Sequence, residues 1–538
     1  MPRIPRRLTR PLALFASPVL LGFAALASLT VPACGGLVTD PPPAEVDSGV
    51  VVPPPPPPRD AGRPGLDAAL PPAPPRPPLP PVTQAPEILF DPVESGQTVT
   101  LAVPPNALGF NVVVRGEAND VVGIRTLTSP SGEVVLRDHR VIGASFETSE
   151  GDQGIAAASV PQNRLASAAP VEPGAWTVQV TGPTGRALRV SARVQISGDG
   201  TFRGGAADLH VYLPKGLRID DPTSSHVVSA ATAATDRAVE ARLSPLFQGL
   251  EAGFGVIRGD VTFHDVDAAF LRIANESALA RAFGASSGVA DGGQALHVLF
   301  TNDLDLGDGV WGIAPGIPGA ATRTGTSMSG VVLAITPETP ADLDGLALLH
   351  EFGHFIGLAH TTEFSRDFVD PLDDTPSCVG ILDPQRPSSI DRCPDKNNLM
   401  FPTLWGDTIT VSDSQRIILR GSPSYKAFVG AATPVADAGT PLDAGTPPGF
   451  MPPRAPGPTA LPIARGAIRL TRSGRPLTAT ERFVFGGLCG QTPLDAGRFA
   501  GHLGGVAARE ELARMAHDAD LPGILRTRAA RMLAHAPR

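Results

Sequence analysis

Residues 87–197 alternate between apolar and polar positions with a period of two. The alternation is clearest in three runs: Val99-Leu101-Val103, Trp176-Val178-Val180 and Leu188-Val190-Ala192-Val194-Ile196. Successive side chains of a strand point to opposite faces, so this pattern is typical of strands with one buried face. Turn sequences such as Pro130-Ser131-Gly132 separate the runs. The region is predicted to be a β-sandwich accessory domain, and no catalytic constellation is visible in it.

Residues 198–430 mix strand-like and helix-like patterns. Short apolar runs over 209–213, 256–263, 296–300 and 331–335 predict strands. An Ala-rich stretch over 225–248 predicts a helix that breaks near Pro245. Ser412 and Gln415 have the spacing of a capping box and predict a late helix. The predicted fold class is multidomain: the β-sandwich, then an α+β domain, then a small helical C-terminal region over 461–538.

One predicted helix, which begins near Thr339 and Pro340, is apolar on nearly all of its faces. This pattern is typical of a helix at the centre of a domain. His350, Glu351 and His354 interrupt the pattern. Buried polar groups need partners, so we expect something in the core to satisfy these three side chains.

Residues 350–360 read H-E-x-x-H-x-x-G-x-x-H. Histidines four residues apart lie on one face of a helix, so His350 and His354 can bind one metal ion. Gly357 can end the helix and turn the chain, which brings His360 back as a third ligand. Glu351 lies beside the first ligand, where its carboxylate reaches a metal-bound water instead of the metal. Three imidazoles leave one position of a tetrahedral Zn²⁺ ion open, and this predicts a catalytic zinc site.

Charge and composition bear on partners and on linkers. The formal net charge is -9, and no basic patch with interleaved aromatic residues is present, so a nucleic-acid partner is not expected. Proline is concentrated over 35–86, and proline, alanine and glycine together over 431–460. Neither stretch can build a core, so both are predicted linkers, the first an extended polyproline II tether.

Residues 1–34 have the pattern of an export signal peptide. Basic residues precede an apolar run that Pro18 interrupts. The sequence Val31-Pro32-Ala33-Cys34 resembles the lipobox of bacterial lipoproteins, in which the cysteine, here Cys34, carries lipid. An ordinary cleaved signal with a chance cysteine is the alternative. The chain is therefore expected to be exported, either as a cell-envelope lipoprotein of the outer membrane or cell surface, held by an N-terminal lipid anchor, or as a secreted protein.

The region around the histidines resembles a known family. The extended histidine motif marks the metzincin clan of zinc peptidases. Residues 397–402, Asn-Asn-Leu-Met-Phe-Pro, are similar to the methionine turn beneath the metal in that clan, with Met400 as its methionine. Residues 370–378 are similar to a D-x-x-x-D-T-P stretch of pappalysin-like peptidases. The resemblance implies a metzincin-like zinc peptidase domain over 198–430, with His350, His354 and His360 as ligands and Glu351 as the catalytic base.

One position departs from this resemblance. Several metzincins have a tyrosine near the metal, two residues after the turn methionine, whereas Pro402 stands there in this chain. The tyrosines, Tyr212 and Tyr425, are not placed by sequence to replace it. Stabilisation of the oxyanion then falls to the metal and to a backbone amide, and full and reduced activity both stay open.

A cluster of oxygen-bearing side chains follows the third histidine. Asp370, Asp373, Asp374 and the Thr375 hydroxyl offer the ligands that Ca²⁺ prefers. Some pappalysin-like relatives hold calcium, and the resemblance implies a similar role here. A solvated acidic turn is the alternative.

Four cysteines are present, and Cys378 and Cys393 are fifteen residues apart. In an oxidising, exported setting they can pair and close a loop, which is worth about 3 kcal/mol in the chain-entropy model. The bridge would brace the chain between His360 and Met400. Two unpaired buried thiols are the alternative.

These observations predict an exported zinc metalloendopeptidase that hydrolyses peptide bonds with zinc-activated water and Glu351 as the general base. An extended protein or peptide substrate would pair with an exposed strand edge near Trp311. Two alternatives stay open. One is a surface adhesion or binding lipoprotein with a degenerate peptidase-like domain, and the other is zinc-dependent hydrolysis of a non-protein amide.

Overall fold

A computed structural model describes residues 78–144, 148–151, 153–163, 171–220, 225–286, 294–306, 310–323, 325–335, 341–362, 370–378, 387–402, 409–429, 459–460, 505–518, 529 and 533. The predicted signal peptide with Cys34, nearly all of the predicted linkers, and Thr339 and Pro340 lie outside these residues. In the described part of the chain, no helix combines the length and the apolar character needed to cross a membrane.

In the first region, the regular elements of the described residues are all strands. Its strands are β1 (Glu87–Leu89), β2 (Thr98–Val103), β3 (Ala107–Arg115), β4 (Val122–Thr128), β5 (Val134–Arg137), β6 (Arg140–Val141), β7 (Glu150–Gly151), β8 (Ile155–Val160), β9 (Gly174–Thr181) and β10 (Arg189–Ile196). One sheet has the order β1-β10-β3-β8, and the other has the order β2-β9-β4-β5-β6, with β7 paired to β4. The paired strands are antiparallel.

The alternation along the sequence explains how these strands pack. Strand β2 alternates strictly between exposed and buried residues, and its Leu101 joins a cluster drawn from both sheets. Trp176 lies in that cluster with its ring edge against Phe110, at 5.1 Å between centroids. Its indole N–H donates to the carbonyl of Glu172 at 2.8 Å, so the polar atom of this large buried side chain is satisfied.

The strands of the second region are β11 (Gly205–Pro214), β12 (Arg218–Asp220), β13 (Ser225–Val227), β14 (Val256–Val266), β15 (Arg272–Ile273), β16 (Ala295–Thr301), β17 (Asp303–Leu304), β18 (Gly312–Ile313), β19 (Val331–Ala334), β20 (Thr410–Val411), β21 (Lys426–Ala427) and β22 (Thr459–Ala460). The main sheet has the order β14-β11-β16-β19-β18, and β21 also pairs with β11. Strands β14, β11, β16 and β19 are parallel, whereas β18 is an antiparallel strand at the end of this order.

The helices are α1 (Ala230–Ala233), α2 (Arg237–Phe254), α3 (Glu276–Ala285), α4 (Ala341–Ile356), α5 (Asp413–Gly421) and α6 (Gly505–His517), with 3₁₀ turns at Ala268–Leu271 and Pro387–Arg392. The capping box predicted at Ser412 and Gln415 is confirmed at the start of α5. Taken together, the chain is β-rich, with several sheets and a few helices, as in a multidomain β-rich protein.

The predicted helix break at Pro245 is wrong. Helix α2 runs through Pro245, although proline removes one helical hydrogen bond. The physical reason lies in a close crossing with α4. A Cβ at Gly345 would lie 2.4 Å from the carbonyl oxygen of Arg242 and 2.9 Å from Cβ of Pro245. Burial against the neighbouring helix therefore offsets the local cost of the proline.

Candidate metal centre

Helix α4 carries the histidine motif through the core. Its residues from Leu343 to Ile356 are all buried, including His350, Glu351 and His354. The helix ends where the sequence predicts, because Gly357 adopts a φ of +117°, in the region that favours glycine. The backbone N–H of Gly357 donates to the carbonyl of His354 at 2.9 Å, and the chain then turns back.

The turn brings the third histidine to the other two. Nε2 of His360 lies 3.1 Å from Nε2 of His350 and 3.0 Å from Nε2 of His354. Zn–N bonds of about 2.0–2.1 Å in a tetrahedral site set neighbouring nitrogens about 3.3 Å apart. The three nitrogens therefore already stand near the spacing that a shared zinc ion requires. We call these three residues the histidine triad.

Backbone carbonyls orient two of the three rings. Nδ1 of His350 lies 2.6 Å from the carbonyl oxygen of Leu399, and Nδ1 of His354 lies 2.8 Å from that of Leu358. A carbonyl oxygen only accepts hydrogen bonds, so each Nδ1 carries the proton. In the neutral ring this leaves a lone pair on Nε2. Both lone pairs then face the centre of the triad, as they do in rings that bind metal.

Burial keeps these rings neutral. It lowers the pKa of His350 to about 3 and lowers that of His354 as well, and the nearby charge of His360 acts in the same direction. Unprotonated nitrogens that face one another in a buried space repel, and a cation removes that repulsion. The donor set of three neutral imidazoles fits a zinc ion, so the residues present suit the cofactor that the sequence predicts.

Glu351 lies next to the triad without belonging to it. The nitrogens of the three histidines converge closely enough to hold one ion, and the Glu351 carboxylate is not part of that cluster. Its fully buried side chain packs on strand β18, since a Cβ at Gly312 would lie 2.6 Å from its Cγ and 2.9 Å from its Oε1. Glycine at position 312 therefore makes room for the carboxylate between the edge strand and helix α4.

Met400 lies beneath the triad. A Cβ at Gly353 would lie 2.5 Å from Sδ of Met400, so the thioether contacts the helix between His350 and His354. The carbonyl of Met400 accepts from the N–H of Thr361 at 3.0 Å. The turn is held from behind, because the amide of Asn398 exchanges two hydrogen bonds with Gln415 of α5, at 3.1 and 2.9 Å.

The two tyrosine hydroxyls are engaged elsewhere in the structure. The hydroxyl of Tyr212 lies 3.1 Å from Nδ1 of His297 on the central sheet. The hydroxyl of Tyr425 donates to the carbonyl of Arg420 at 2.5 Å. Both hydroxyls therefore have partners away from the triad, and the expectation drawn from Pro402 stays as stated.

Of the four residues expected to bind calcium, the structure brings two together. The Thr375 hydroxyl lies 2.8 Å from each carboxylate oxygen of Asp370 and 3.0 Å from the carbonyl of Leu372. Burial raises the pKa of Asp370 to about 7. A buried carboxylate, a hydroxyl and a carbonyl that share one space are ligands suited to Ca²⁺.

The other two residues do not share these hydrogen bonds, although Asp374 is close enough for its charge to help raise the pKa of Asp370. Asp374 accepts hydrogen bonds at 2.9 Å from the hydroxyl of Ser412 and from the N–H of Ser414, so its carboxylate caps the start of α5. Asp373 is exposed. In the described part of the chain, the carboxylates among these four residues do not converge on one point.

Cys378 and Cys393 form a buried disulfide with their Cα atoms 5.1 Å apart. Together with Asp395 they make up the second group of potential metal ligands, but sulfurs joined to each other do not bind zinc as thiolates. The Asp395 carboxylate accepts from the hydroxyl of Thr361 at 2.8 Å and from that of Thr362 at 2.5 Å. The bridge therefore braces the chain just after the third histidine.

Sequence reasoning missed a buried ion pair on the same helix. Asp344 accepts from Nε of Arg242 at 2.7 Å and from the indole N–H of Trp311 at 3.1 Å. Burial raises the pKa of Asp344 to about 7, although Arg242 opposes this. The sequence did contain a signal for this ion pair. Asp344 stands seven residues before Glu351, in a helix that is otherwise largely apolar outside the histidine motif. Such a residue requires a buried partner.

Three further histidines stand on the central sheet. His264, His210 and His297 lie side by side on β14, β11 and β16, and we call them the strand histidines. Their rings stack with centroids 5.0 Å apart and interplanar angles of 15° and 12°. Nδ1 of His210 lies 2.7 Å from Nε2 of His264. Among the described residues, the nitrogens of these three rings do not converge on one point as those of the histidine triad do.

Comparison with known proteins adds little. No family model matches the chain, and no curated protein matches it. One solved structure that is similar to part of the chain is a family 6 carbohydrate-binding module, at 18% sequence identity and a TM-score of 0.11, covering 22% of this chain and 81% of that chain. A likeness of this size assigns neither a fold nor a function, so the functional conclusion rests on the geometry of the site.

Proposed function

We propose that this protein is a zinc metalloendopeptidase. The observation that carries the proposal is the convergence of three buried Nε2 atoms, two of them with the opposite nitrogen bound to a backbone carbonyl. A buried carboxylate, Glu351, stands beside them. Three neutral nitrogens with an adjacent base are the arrangement of a catalytic zinc site that activates water.

Each residue has a defined task in this mechanism. Zinc, when bound, acts as a Lewis acid toward water and the substrate carbonyl. His350, His354 and His360 hold that charge in place. Glu351, kept close by Gly312, takes the proton from the attacking water and later delivers it to the leaving amine. Its burial keeps bulk water away from the proton being transferred.

Strand β18 is the proposed site of substrate pairing. It lies at the end of the sheet order, beside Glu351. Its two residues are buried, and the half-exposed residues 314–317 that follow continue the edge that would pair with an extended peptide. The Trp311 side chain is buried and bonded to Asp344, so the adjacent backbone of β18 is the proposed contact.

Several features support the finer assignment to a metzincin-like, pappalysin-like α+β domain. A mostly parallel sheet lies beside α2 and α4, and Met400 lies under the triad. The Asp370–Thr375 pair is the proposed calcium site that would stabilise the loop after the third histidine. An exported location with a lipid anchor at Cys34, and the absence of a nucleic-acid partner, stay predictions of the sequence.

The rival function is a surface binding or adhesion lipoprotein with an inactive peptidase-like domain. Pro402 is the observation that favours it, because no tyrosine hydroxyl takes the missing position. The two functions differ in whether the purified chain turns over substrate.

The test is hydrolysis of casein and of a mixed peptide library by the purified chain, with and without a chelator. We expect zinc-dependent cleavage within the peptides, and a loss of about 10²–10⁴-fold in Glu351→Gln. Glu251→Gln, an exposed glutamate of α2, is the matched control and should keep full activity. Elemental analysis should find equal zinc in all three proteins. Equal activity in Glu351→Gln would rule out the mechanism, and no cleavage by the zinc-loaded wild type would favour the binding protein.

A further inference from the structure

The segment over 310–321 follows helix α4 past the proposed active site. At its start, Gly312 packs on Glu351, and at its end the N–H of Gly319 donates to the carbonyl of Phe355 at 2.8 Å. A Cβ at Gly319 would lie 2.2 Å from the Phe355 ring. The segment includes strand β18, the proposed substrate edge, so its position sets where a substrate would lie. We call it the edge segment.

Side chains of the β-sandwich hold the far end of the edge segment. Asn111 of β3, only 2% exposed, donates to the carbonyl of Gly319 at 3.3 Å and accepts from the N–H of Ala321 at 3.2 Å. Gln162, just after β8, donates to the carbonyl of Ile317 at 3.1 Å. Backbone groups that would otherwise lack regular partners are thereby satisfied by another region of the chain.

The same contact continues as an apolar seam. Ala320 packs in a small cluster with three sandwich residues and with Met328, which lies beyond the segment; the sandwich residues are Val113, Ile155 and Ala157. Gln162 also reaches the turn after the catalytic helix, because a Cβ at Gly357 would lie 3.5 Å from its Cγ. The sandwich therefore contacts both the edge segment and the turn that leads to His360.

The other end of the edge segment is anchored within the second region. The indole of Trp311 donates to the buried carboxylate of Asp344, and the carbonyl of Trp311 accepts from the N–H of Ala334 at 2.8 Å. The segment is thus fixed on both sides of β18. Its outer anchor, however, comes from the sandwich, which lies far away along the sequence.

We infer that the β-sandwich is an integral part of the active site, in which Asn111 and Gln162 are positioning residues for the substrate-binding edge. This inference rests on the proposed peptidase function. Neither side chain touches the triad or Glu351, so neither takes part in the chemical step. Their effect is to hold the edge in place before substrate arrives, which lowers the entropic cost of binding.

The test compares Asn111→Ala and Gln162→Ala in the full chain with Asn106→Ala. Asn106 also lies in the sandwich and donates to a backbone carbonyl, that of Ser197 at 2.8 Å. This hydrogen bond stays within the sandwich and does not reach the edge segment. We expect KM for a peptide substrate to rise about 5–30-fold in the first two variants, with kcat changed less than about threefold. Zinc content and thermal unfolding should match those of the control.

Amide hydrogen exchange over 312–321 gives a readout that does not need turnover. We expect faster exchange there in Asn111→Ala and Gln162→Ala, and unchanged exchange in Asn106→Ala. Faster exchange with unchanged KM would reduce these residues to a structural role and overturn the inference. Unchanged exchange would overturn it as well. If the wild type cleaves no peptide, the peptidase function fails, and the exchange result alone decides whether the sandwich holds the segment.

Discussion

The histidine triad and the strand histidines are both groups of three imidazoles in mutual contact, but their rings are oriented differently. The strand histidines lie on neighbouring parallel strands, and their ring planes are nearly parallel, at 15° and 12°. The rings of His350, His354 and His360 meet at 89°, 40° and 68°. The strand histidines all come from strands, whereas helix α4 holds His350 and His354 and the chain after its end places His360.

Ring orientation decides which group can bind a metal. The lone pair of an imidazole lies in the ring plane. Among the strand histidines, Nδ1 of His210 faces Nε2 of His264 at 2.7 Å, so these two nitrogens are used in a hydrogen bond with each other. Rings that are tilted toward one another, with Nδ1 held by a carbonyl, can aim three lone pairs at one point. For metal binding, the turn at Gly357 and the carbonyls of Leu358 and Leu399 therefore matter as much as the number of histidines.

The largest predicted difference is in activity. His354→Ala removes one of the three proposed zinc ligands, and we expect peptide hydrolysis to fall by more than about 10³-fold. His264→Ala makes the same change among the strand histidines, and activity should stay within about threefold. Initial rates at saturating zinc measure both. A similar loss of activity in the two variants would contradict the claim that only the histidine triad binds the metal.

The second effect concerns the bridge that braces the triad. Replacing Cys378 and Cys393 by alanine should lower the free energy of unfolding by about 3 kcal/mol. Zinc affinity should weaken too, because the chain from His360 to Leu399 loses its brace. Urea unfolding and zinc titration measure these changes. A reducing agent should destabilise the wild type by a similar amount and leave the double variant unaffected; an equal response in both would contradict the role of the bridge.

The third effect is a pH dependence of the metal-free protein. The pKa of His350 is about 3 in the folded state and about 6.5 when unfolded, so between these values the unfolded chain binds more protons. The stability that the neutral ring contributes is complete above pH 6.5 and is lost as the pH falls toward 3. At pH 5 the loss in the free energy of unfolding is about 2 kcal/mol.

Thermal unfolding at pH 7.5 and pH 5 checks this dependence with chelator present. The leucine in His350→Leu does not titrate. On acidification, the Tm of this variant should therefore fall by roughly 4 °C less than the Tm of the wild type. His264→Leu should keep the wild-type drop. If His350→Leu is as acid-sensitive as the wild type, the triad is not the source of the effect.

The smallest effect is expected beneath the triad. Met400→Leu conserves volume and should cost less than about 1.5 kcal/mol, with zinc retained. Gly353→Ala, by contrast, places a methyl group 2.5 Å from Sδ of Met400 and should cost more, about 1–3 kcal/mol. Chemical denaturation of the two variants ranks them. The reverse order would mean that the methionine does not pack closely on the helix.

Local patterns predicted much of this architecture. Alternation predicted strands β2, β9 and β10, and the histidine spacing with Gly357 predicted the turn that brings His360 back. These features depend on residues a few positions apart, whose geometry the backbone sets. The helix start at Ser412 was likewise predicted from adjacent residues.

Contacts between distant residues were not predictable in this way. Helix α2 continues through Pro245 because α4 packs against it, and nothing in the local sequence shows that packing. Asp374 was expected to bind calcium, but it caps helix α5. Its hydrogen-bond partner there, Ser414, lies forty residues away along the sequence. The hydrogen bonds of Asn111 to the edge segment join positions about two hundred residues apart.

The central claim is that the histidine triad holds one zinc ion. Elemental analysis of the wild type, after dialysis against trace zinc and removal of excess, tests it most directly. We predict one zinc per chain in the wild type and in His264→Ala, and less than about a tenth of that in His354→Ala. A wild-type protein that takes up no zinc, or a His354→Ala protein that keeps it, would contradict the account.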